Sequence, residues 1–570
     1  MAKDRTRSKL RNNDLSTLVS IIAVVLLVNI VTQNIFFRID LTSEKRYTLS
    51  KSTKDILRDL DDIVFIRVYL EGDLNIPFKK FRDNIHDLLD EFKIFGEYNL
   101  QYEFVNPLED ASQELQQKII TQLYDKGLKP TNIHQRDKEG AITEKIIFPS
   151  ALIKYKDIEI PLNLLINNPG VGSDQNLNNS VESLEYNFIS TIRNITNKKT
   201  EKIAFLEGHG ELNGLEVNDI SLELSKLYQI DRGKIDGIPG VLDEYKTVIV
   251  AKPTVAFNEQ DKFVIDQYIM NGGRVLWLID AIQVSLDSLV NGETMAFISQ
   301  LNIDDILFRY GVRINPILVQ DIQCNVIPVN MALRGNPSNF QPAPWLYYPL
   351  VSPSKAHPVT QNLNMIYCRF ANSLDTIEAR KNIRKIPLLV TSPLSKIKKV
   401  PVLISLKEVQ HSPQRNDFNA GNLLIGVLLE GNFISAFKNR GLGEYFSDPP
   451  KVTQDGVNTK MVVIADGDII RNEVKYTPQG PSIQALGYDR YTRQTFGNKD
   501  FLVNLIQYLA DDNNLLELRG REFKIRFLNK EKIASERSGW IIYNMLFPSC
   551  LVILMGILLH FFRKRRFSAK

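Results

Sequence analysis

Two uncharged windows, one near each end, limit what this chain can fold into more than any other feature. No Lys, Arg, Asp or Glu occurs from Leu15 to Phe37, or from Ser538 to Phe562. A helix of about 20 mostly apolar residues crosses the hydrocarbon core of a bilayer, so each window is expected to span a membrane. Buried core helices are usually shorter and are bounded by caps rather than by basic clusters. Here Lys3, Arg5, Arg7, Lys9 and Arg11 precede the first window, and Arg563, Lys564, Arg565 and Arg566 follow the second. Lys and Arg gather on the cytoplasmic side of short flanks. Both basic tails (1–14 and 563–570) are therefore expected inside, and everything between the spans outside. The first run leads into Asn29-Ile-Val-Thr-Gln-Asn34 instead of a small-residue cleavage site, so it reads as an uncleaved signal anchor.

With 24% charged and 44% apolar residues, the chain has the composition of globular material. Its negative mean hydropathy excludes a polytopic channel or transporter, so a translocation path would belong to another subunit. A net charge of +4, much of it in the tails, offers no surface for DNA or RNA. Cys324, Cys368 and Cys550 are the only cysteines, and Cys550 lies inside the second window. Cys324 and Cys368 have the option of pairing in an oxidising compartment, but so few thiols build no disulfide framework. At roughly 100–200 residues per domain, the exterior should hold two or three domains.

After the first window (15–37), Ser50 has the position of an N-cap, with Leu49, Ile56, Leu57 and Leu60 on the buried side of its helix. A strand over 63–70, a helix over 78–95, a strand over 101–105 and a helix over 112–123 follow from the spacing of apolar residues. A hairpin over 146–155 and 158–165 completes the order β-α-β-α-β-β, which is thioredoxin-like in topology, without a C-x-x-C. A polar loop from Asn167 to Ser180 then gives way to a helix capped by Asn179 or Ser180, with Val181, Leu184, Phe188, Ile192 and Ile195 on one face. These elements make a thioredoxin-like α/β domain over 38–197. The pattern restarts at 198. Short apolar strands at 203–206, 248–251, 275–279 and 461–465 alternate with helices at 258–270 and 500–509. That alternation predicts a larger, mostly parallel, doubly wound α/β domain over 198–514. A Pro-rich, irregular stretch over about 325–460 predicts β-rich insertions, and a charged segment (515–537) leads to the second span (538–562).

No G-x-x-x-x-G-K-[ST] loop is present to cradle ATP, and Gly170-Val-Gly172 lacks the third glycine of a dinucleotide fingerprint. A nucleophilic Cys or Ser needs a tight, glycine-flanked turn; Cys324 and Cys368 lack one, and no G-x-S-x-G occurs. The motif Glu207-Gly-His-Gly-Glu211 follows an apolar strand, where parallel sheets bind ligands. It supports two readings. Glu207, His209 and Glu211 contact a ligand, or the glycines allow a turn whose polar groups cap the next helix. A zinc site would recruit more His or Cys than the chain offers. Asp280, Asp466 and Asp468 also follow strands and should gather at the same edge, near Arg471 and Asn472. Bare turn chemistry is the other reading of these aspartates; their hard oxygens suit calcium, but Asp466-Gly-Asp468 lacks the full EF-hand loop, and the expectation is no metal and no cofactor. Close carboxylates should raise one another's pKa unless a cation or hydrogen-bond donors offset them.

Six stretches carry a resemblance: Arg46-Tyr-Thr-Leu-Ser50, Phe205-Leu-Glu-Gly-His-Gly-Glu211, Asn271 to Asp280, Arg309-Tyr-Gly-Val-Arg-Ile314, Ala465 to Asn472, and Phe496 to Leu509. In this order they resemble the GldG family, gliding-associated components of ABC transporters in gliding Bacteroidetes, within a wider group of ABC-transporter auxiliary proteins. The resemblance covers nearly the whole chain. It implies a bacterial inner membrane, a periplasmic main domain like the class I glutamine amidotransferases, and partnership with a separate permease and ATPase. The expectation is a non-catalytic accessory or ligand-binding subunit, associated with gliding or secretion, in contact with membrane lipid and not nucleic acid. Its alternatives are an envelope-acting hydrolase or amidotransferase relative, and a purely structural anchor of a gliding machine.

Overall fold

The Ser50 hydroxyl accepts a 2.9 Å hydrogen bond from the Thr53 N–H, starting helix α1 (Lys51–Arg58) as the N-cap reading expects. The computed structural model that shows this describes residues 48–109, 112–136, 142–166, 172–196, 201–330, 339–354, 357–377, 382–478, 480–511 and 530–567, with scattered helical positions between 16 and 27. Most of the first apolar window, the segment over 512–529 and the chain ends lie outside the described residues. The C-terminal helix forms a unit of its own.

Next come β1 (Val64–Val68), α2 (Ile76–Gly96), β2 (Leu100–Phe104), α3 (Gln113–Asp125), β3 (Thr131–Arg136), β4 (Ile142–Ile147), β5 (Ser150–Tyr155) and β6 (Ile158–Asn163). A four-stranded sheet has the order β2-β1-β5-β6, with β1 parallel to β2 and antiparallel to β5, and β6 antiparallel to β5. The single strand expected over 146–155 is two strands. Pro149 has no N–H to give a ladder, so the chain turns there; β4 pairs with β3, a strand with no clear periodic signal, and β5 enters the sheet. Helix α4 (Ser173–Thr196) also begins earlier than expected. Asn179 and Ser180 sit inside it and not at its cap, because Ser180 and Ser183 return their hydroxyls to the carbonyls of Asn176 and Asn179 at 2.7 and 2.9 Å.

The larger sheet uses β7 (Lys202–Glu207), β8 (Gln229–Lys234), β9 (Thr247–Ala251), β10 (Arg274–Leu278), β11 (Cys324–Asn330), β12 (Phe340–Pro353), β13 (Ile383–Val390), β14 (Leu424–Ile434) and β15 (Asp455–Ile464). Their order is β11-β12-β13-β14-β15-β10-β9-β7-β8. The run β8-β7-β9-β10-β15 is parallel throughout. From β15 to β11 every pairing is antiparallel. The sheet is thus mixed and not mostly parallel. The β-rich stretch expected as an insertion supplies that antiparallel half: β14, buried over Ile425–Leu429, finds its backbone partners against β15.

Strand side chains alternate between two cores, as a two-residue repeat requires. Phe205, Ile249, Leu276 and Val462 face α5 (Asn218–Ser225) and α7 (Asn498–Ala510). Val248, Trp277 and Val463 face α6 (Glu259–Met270). The first core is continuous with that of the four-stranded sheet. Helix α4 joins them: Glu185 accepts from the Ser50 N–H at 2.9 Å and the Thr53 hydroxyl at 2.7 Å, while Tyr186 donates to Gln507 of α7 at 2.7 Å. One helix therefore holds both the start and the end of the folded region.

Helix α8 (Lys530–Phe567) contains Ser535–Phe562, a 28-residue stretch long and apolar enough to cross a membrane. Its described side chains are exposed throughout that stretch, as a lipid-facing helix would require.

Candidate functional site at the carboxyl edge of the sheet

Because β7, β9, β10 and β15 run parallel, the residues that leave them share one edge. Glu207 ends β7, Lys252 follows β9, Asp280 follows β10, and Asp466 and Asp468 follow β15. The six residues singled out from sequence all lie on this edge, but they divide into three groups.

The first group is built around a residue that the sequence reading passed over. Lys252 Nζ lies 3.0 Å from Asp280 Oδ2 and also pairs with Asp468 Oδ2. Lys252 has a φ of 55°, a left-handed conformation uncommon outside glycine. Gly467 fits between the aspartates because a Cβ there would meet the Lys252 Cβ at 2.7 Å. Its N–H donates to Asp280. Asp466 is fully buried and accepts from the backbone N–H groups of Asp468 and Arg369, each at 2.8 Å. Burial, and then the charges of Asp280 and Asp468, push Asp466 up to about 8. Asp280 is also raised, because burial outweighs Lys252. Asp468 goes the other way: burial opposes its charge, and Lys252 and Arg369 more than offset that. Arg471 spans from Asp468 (3.5 Å) to Glu216 (2.6 Å), whereas Asn472 donates to the Leu215 carbonyl at 2.8 Å and is structural. Lys252, Thr254, Asp280, Phe370, Asp468 and Arg471 line part of a cleft of about 460 Å³.

The second group is His209 and Glu211. The imidazole lies 3.2 Å from Glu211 through Nδ1 and 3.0 Å from Asp261 through Nε2, and stacks on Phe257 at 3.7 Å. Burial opposes its charge, but the hydrogen bonds and charges of Glu211 and Asp261 hold its pKa above the ordinary value. The His209 and Glu211 side chains are buried, and neither lines the cleft. Gly208 and Gly210 adopt φ of +115° and +72°, so the glycines serve the turn. The third group is Glu207 alone, half-exposed and 2.8 Å from Arg232.

Lys252, Arg369 and Asp261 were missed although a signal existed for the first. Lys252 directly follows Val248-Ile-Val-Ala251, and the rule that selected Asp280 selects it equally. Among the described residues, no set of His, Cys, Asp and Glu is arranged to hold a metal ion; the cations of this cluster are Lys252, Arg369 and Arg471. Cys324 and Cys368 are both free. Burial drives the Cys368 thiol well above its usual range, and the same cause pushes Cys324 up to about 11. Neither is set up to ionise as a nucleophile must.

Residues 170–505, more than half of the chain, match the family described as an ABC-type uncharacterized transport system. Residues 43–154 match a domain of unknown function. A Borreliella burgdorferi protein described as uncharacterized is 23% identical over 577 residues, covering 98% of this chain and 99% of its own. The solved mmIFT52 N-terminal domain overlays 54% of this chain and 97% of itself at 14% identity, with a TM-score of 0.30. By the match over residues 170–505, the chain belongs to the family of auxiliary components of ABC-type transport systems.

Proposed function

We propose that the protein is a non-catalytic, membrane-anchored accessory subunit of an ABC transporter, with its main domain in the periplasm and a ligand site in the cleft beside Lys252. The observation that carries the ligand site is the convergence of Lys252, Asp280, Asp468 and Arg471 on one cleft beyond the carboxyl ends of parallel strands, where open α/β sheets take ligands. Their charges are already compensated, so the cleft offers hydrogen-bonding groups of both signs and little net charge. A polar, uncharged or zwitterionic ligand suits it. ATP hydrolysis and translocation would fall to separate ATPase and permease subunits.

The two-anchor topology rests on the basic flanks and the apolar windows, and the exposed apolar stretch of α8 supports its C-terminal half. The order β2-β1-β5-β6 supports the thioredoxin-like reading of the first domain. Helices on both faces of the larger sheet support the doubly wound, amidotransferase-like reading of the second. The link to gliding rests on the GldG resemblance. Affinity purification of the full chain from native membranes tests the role: an ABC permease and ATPase should co-elute. Their absence from a preparation in which the chain is folded would remove it.

A further inference from the structure

On the other side of Ser299 from the polar cleft lies a second groove of about 470 Å³, lined mainly by apolar atoms. Ile279, Ile298, Leu301, Phe308, Ile314 and Pro316 form its walls. Phe308 and Ile298 are 55% and 53% exposed, large apolar side chains left facing water. On the adjoining small sheet Phe297 is exposed and Met295 stands opposite Leu403, both also exposed, on the strand face opposite to that of Ile298. Large exposed apolar side chains gathered at one groove mark a protein contact.

The charge at the groove specifies what fills it. Asp304, Asp305 and Arg313 line it, and Arg313 is taken by Asp375 at 2.7 Å. Asp305 is taken by Lys262 at 2.9 Å and Arg440 at 3.3 Å. Asp304 has no such partner among the described residues, and partial desolvation followed by the charge of Asp305 raises its pKa. A wholly apolar occupant would strip water from this carboxylate and give nothing back. An acidic one would be repelled by Asp304. A Lys or Arg would supply a charge-assisted hydrogen bond while its apolar neighbours covered Phe308 and Ile298. We infer that this groove docks an apolar peptide segment bearing a Lys or Arg, contributed by another subunit of the transporter. The source of the segment rests on the accessory role proposed above; its chemistry rests on the groove.

The test uses the full chain in native membranes with a benzophenone amino acid in place of Phe308. Ultraviolet cross-linking should join it to an ABC-transporter subunit, at a segment with a Lys or Arg among apolar residues. Asp304→Lys should cut that adduct at least tenfold at unchanged Tm, and the charge-matched control Asp448→Lys should leave it intact. An adduct to a second copy of this chain, or to a segment without Lys or Arg, overturns the proposal. So does an adduct that Asp304→Lys does not weaken. If permease and ATPase co-purify while the groove tests fail, the accessory role stands and the groove assignment falls. If neither co-purifies with the wild-type chain, both fall.

Discussion

Lys252 Nζ lies 3.0 Å from Asp280 Oδ2, so residues leaving two neighbouring parallel strands share an ion pair at the carboxyl edge of the sheet. With Asp468 on its other side, Lys252 neutralises two carboxylates drawn from separate parts of the sequence. Removing it would leave Asp280 without its cation and Asp468 with only the more distant Arg471 and Arg369. We expect Lys252→Met to lower stability by about 3–5 kcal/mol, the usual result of breaking a buried pair from one side. Denaturant unfolding of the folded region measures this. A loss within about 0.5 kcal/mol, typical of an unconstrained surface site, would show that the pair does not hold this edge.

Asp466 gives the region a pH dependence with a definite sign. Its carboxyl is pushed up to about 8 in the folded chain, by burial first and then by Asp280 and Asp468, against about 3.9 when unfolded. Between those values the folded state holds a proton that the unfolded state has released, so stability falls as pH rises. The contribution is fully present below about pH 4 and lost as pH passes through about 8. Asp280, also raised, acts in the same direction. Thermal melts from pH 5 to 8 should show a falling Tm, and Asp466→Asn should flatten that slope. An unchanged slope would place the titration elsewhere.

His209 is expected to matter for stability and not separately for transport. Its ring bridges Glu211 and Asp261, both buried. His209→Ala leaves two carboxylates without that partner and should cost about 3 kcal/mol or more. Its raised pKa contributes stability that is present below about 6.5 and fades as pH rises through the folded value. Transport activity should track the folded fraction of the variant. Activity lost at unchanged Tm would make His209 a ligand contact after all.

The thiols of Cys324 and Cys368 should stay reduced. Native chain exposed to a maleimide should leave Cys368 unlabelled, because it is buried and its pKa is driven well above the thiol range. Denaturant should expose it. Replacing Cys324 and Cys368 with Ser should leave transport largely intact; loss of activity in a folded double variant would reopen the enzyme alternative.

Orientation is checked with reporter fusions active only outside the cytoplasm. Signal is expected from a fusion at Asp231 and none from one after Lys570, following the basic flanks. The reverse pattern would invert the topology.

The sequence by itself determined the local structure wherever apolar periodicity was strong. Ser50 as a cap, the strands around Phe205, Ile249, Leu276 and Val463, and the helix over the second apolar window were legible because each depends on neighbours a few residues apart. The edge that collects Glu207, His209, Glu211, Asp280, Asp466 and Asp468 was legible for the same reason, since strand ends can be read and parallel strands share them. Only the tertiary structure decided what each residue does there. Sequence distance hides that Lys252 stands between Asp280 and Asp468, that Asp261 takes the far side of His209, and that Arg232 takes Glu207. Pairing across the sheet was equally hidden. Local periodicity does not fix which strands exchange hydrogen bonds, so the half of the sheet from β14 to β11 read as an insertion. The burial that moves Asp466 to about 8 comes from the same non-local packing, because a carboxylate loses water only when distant segments close over it.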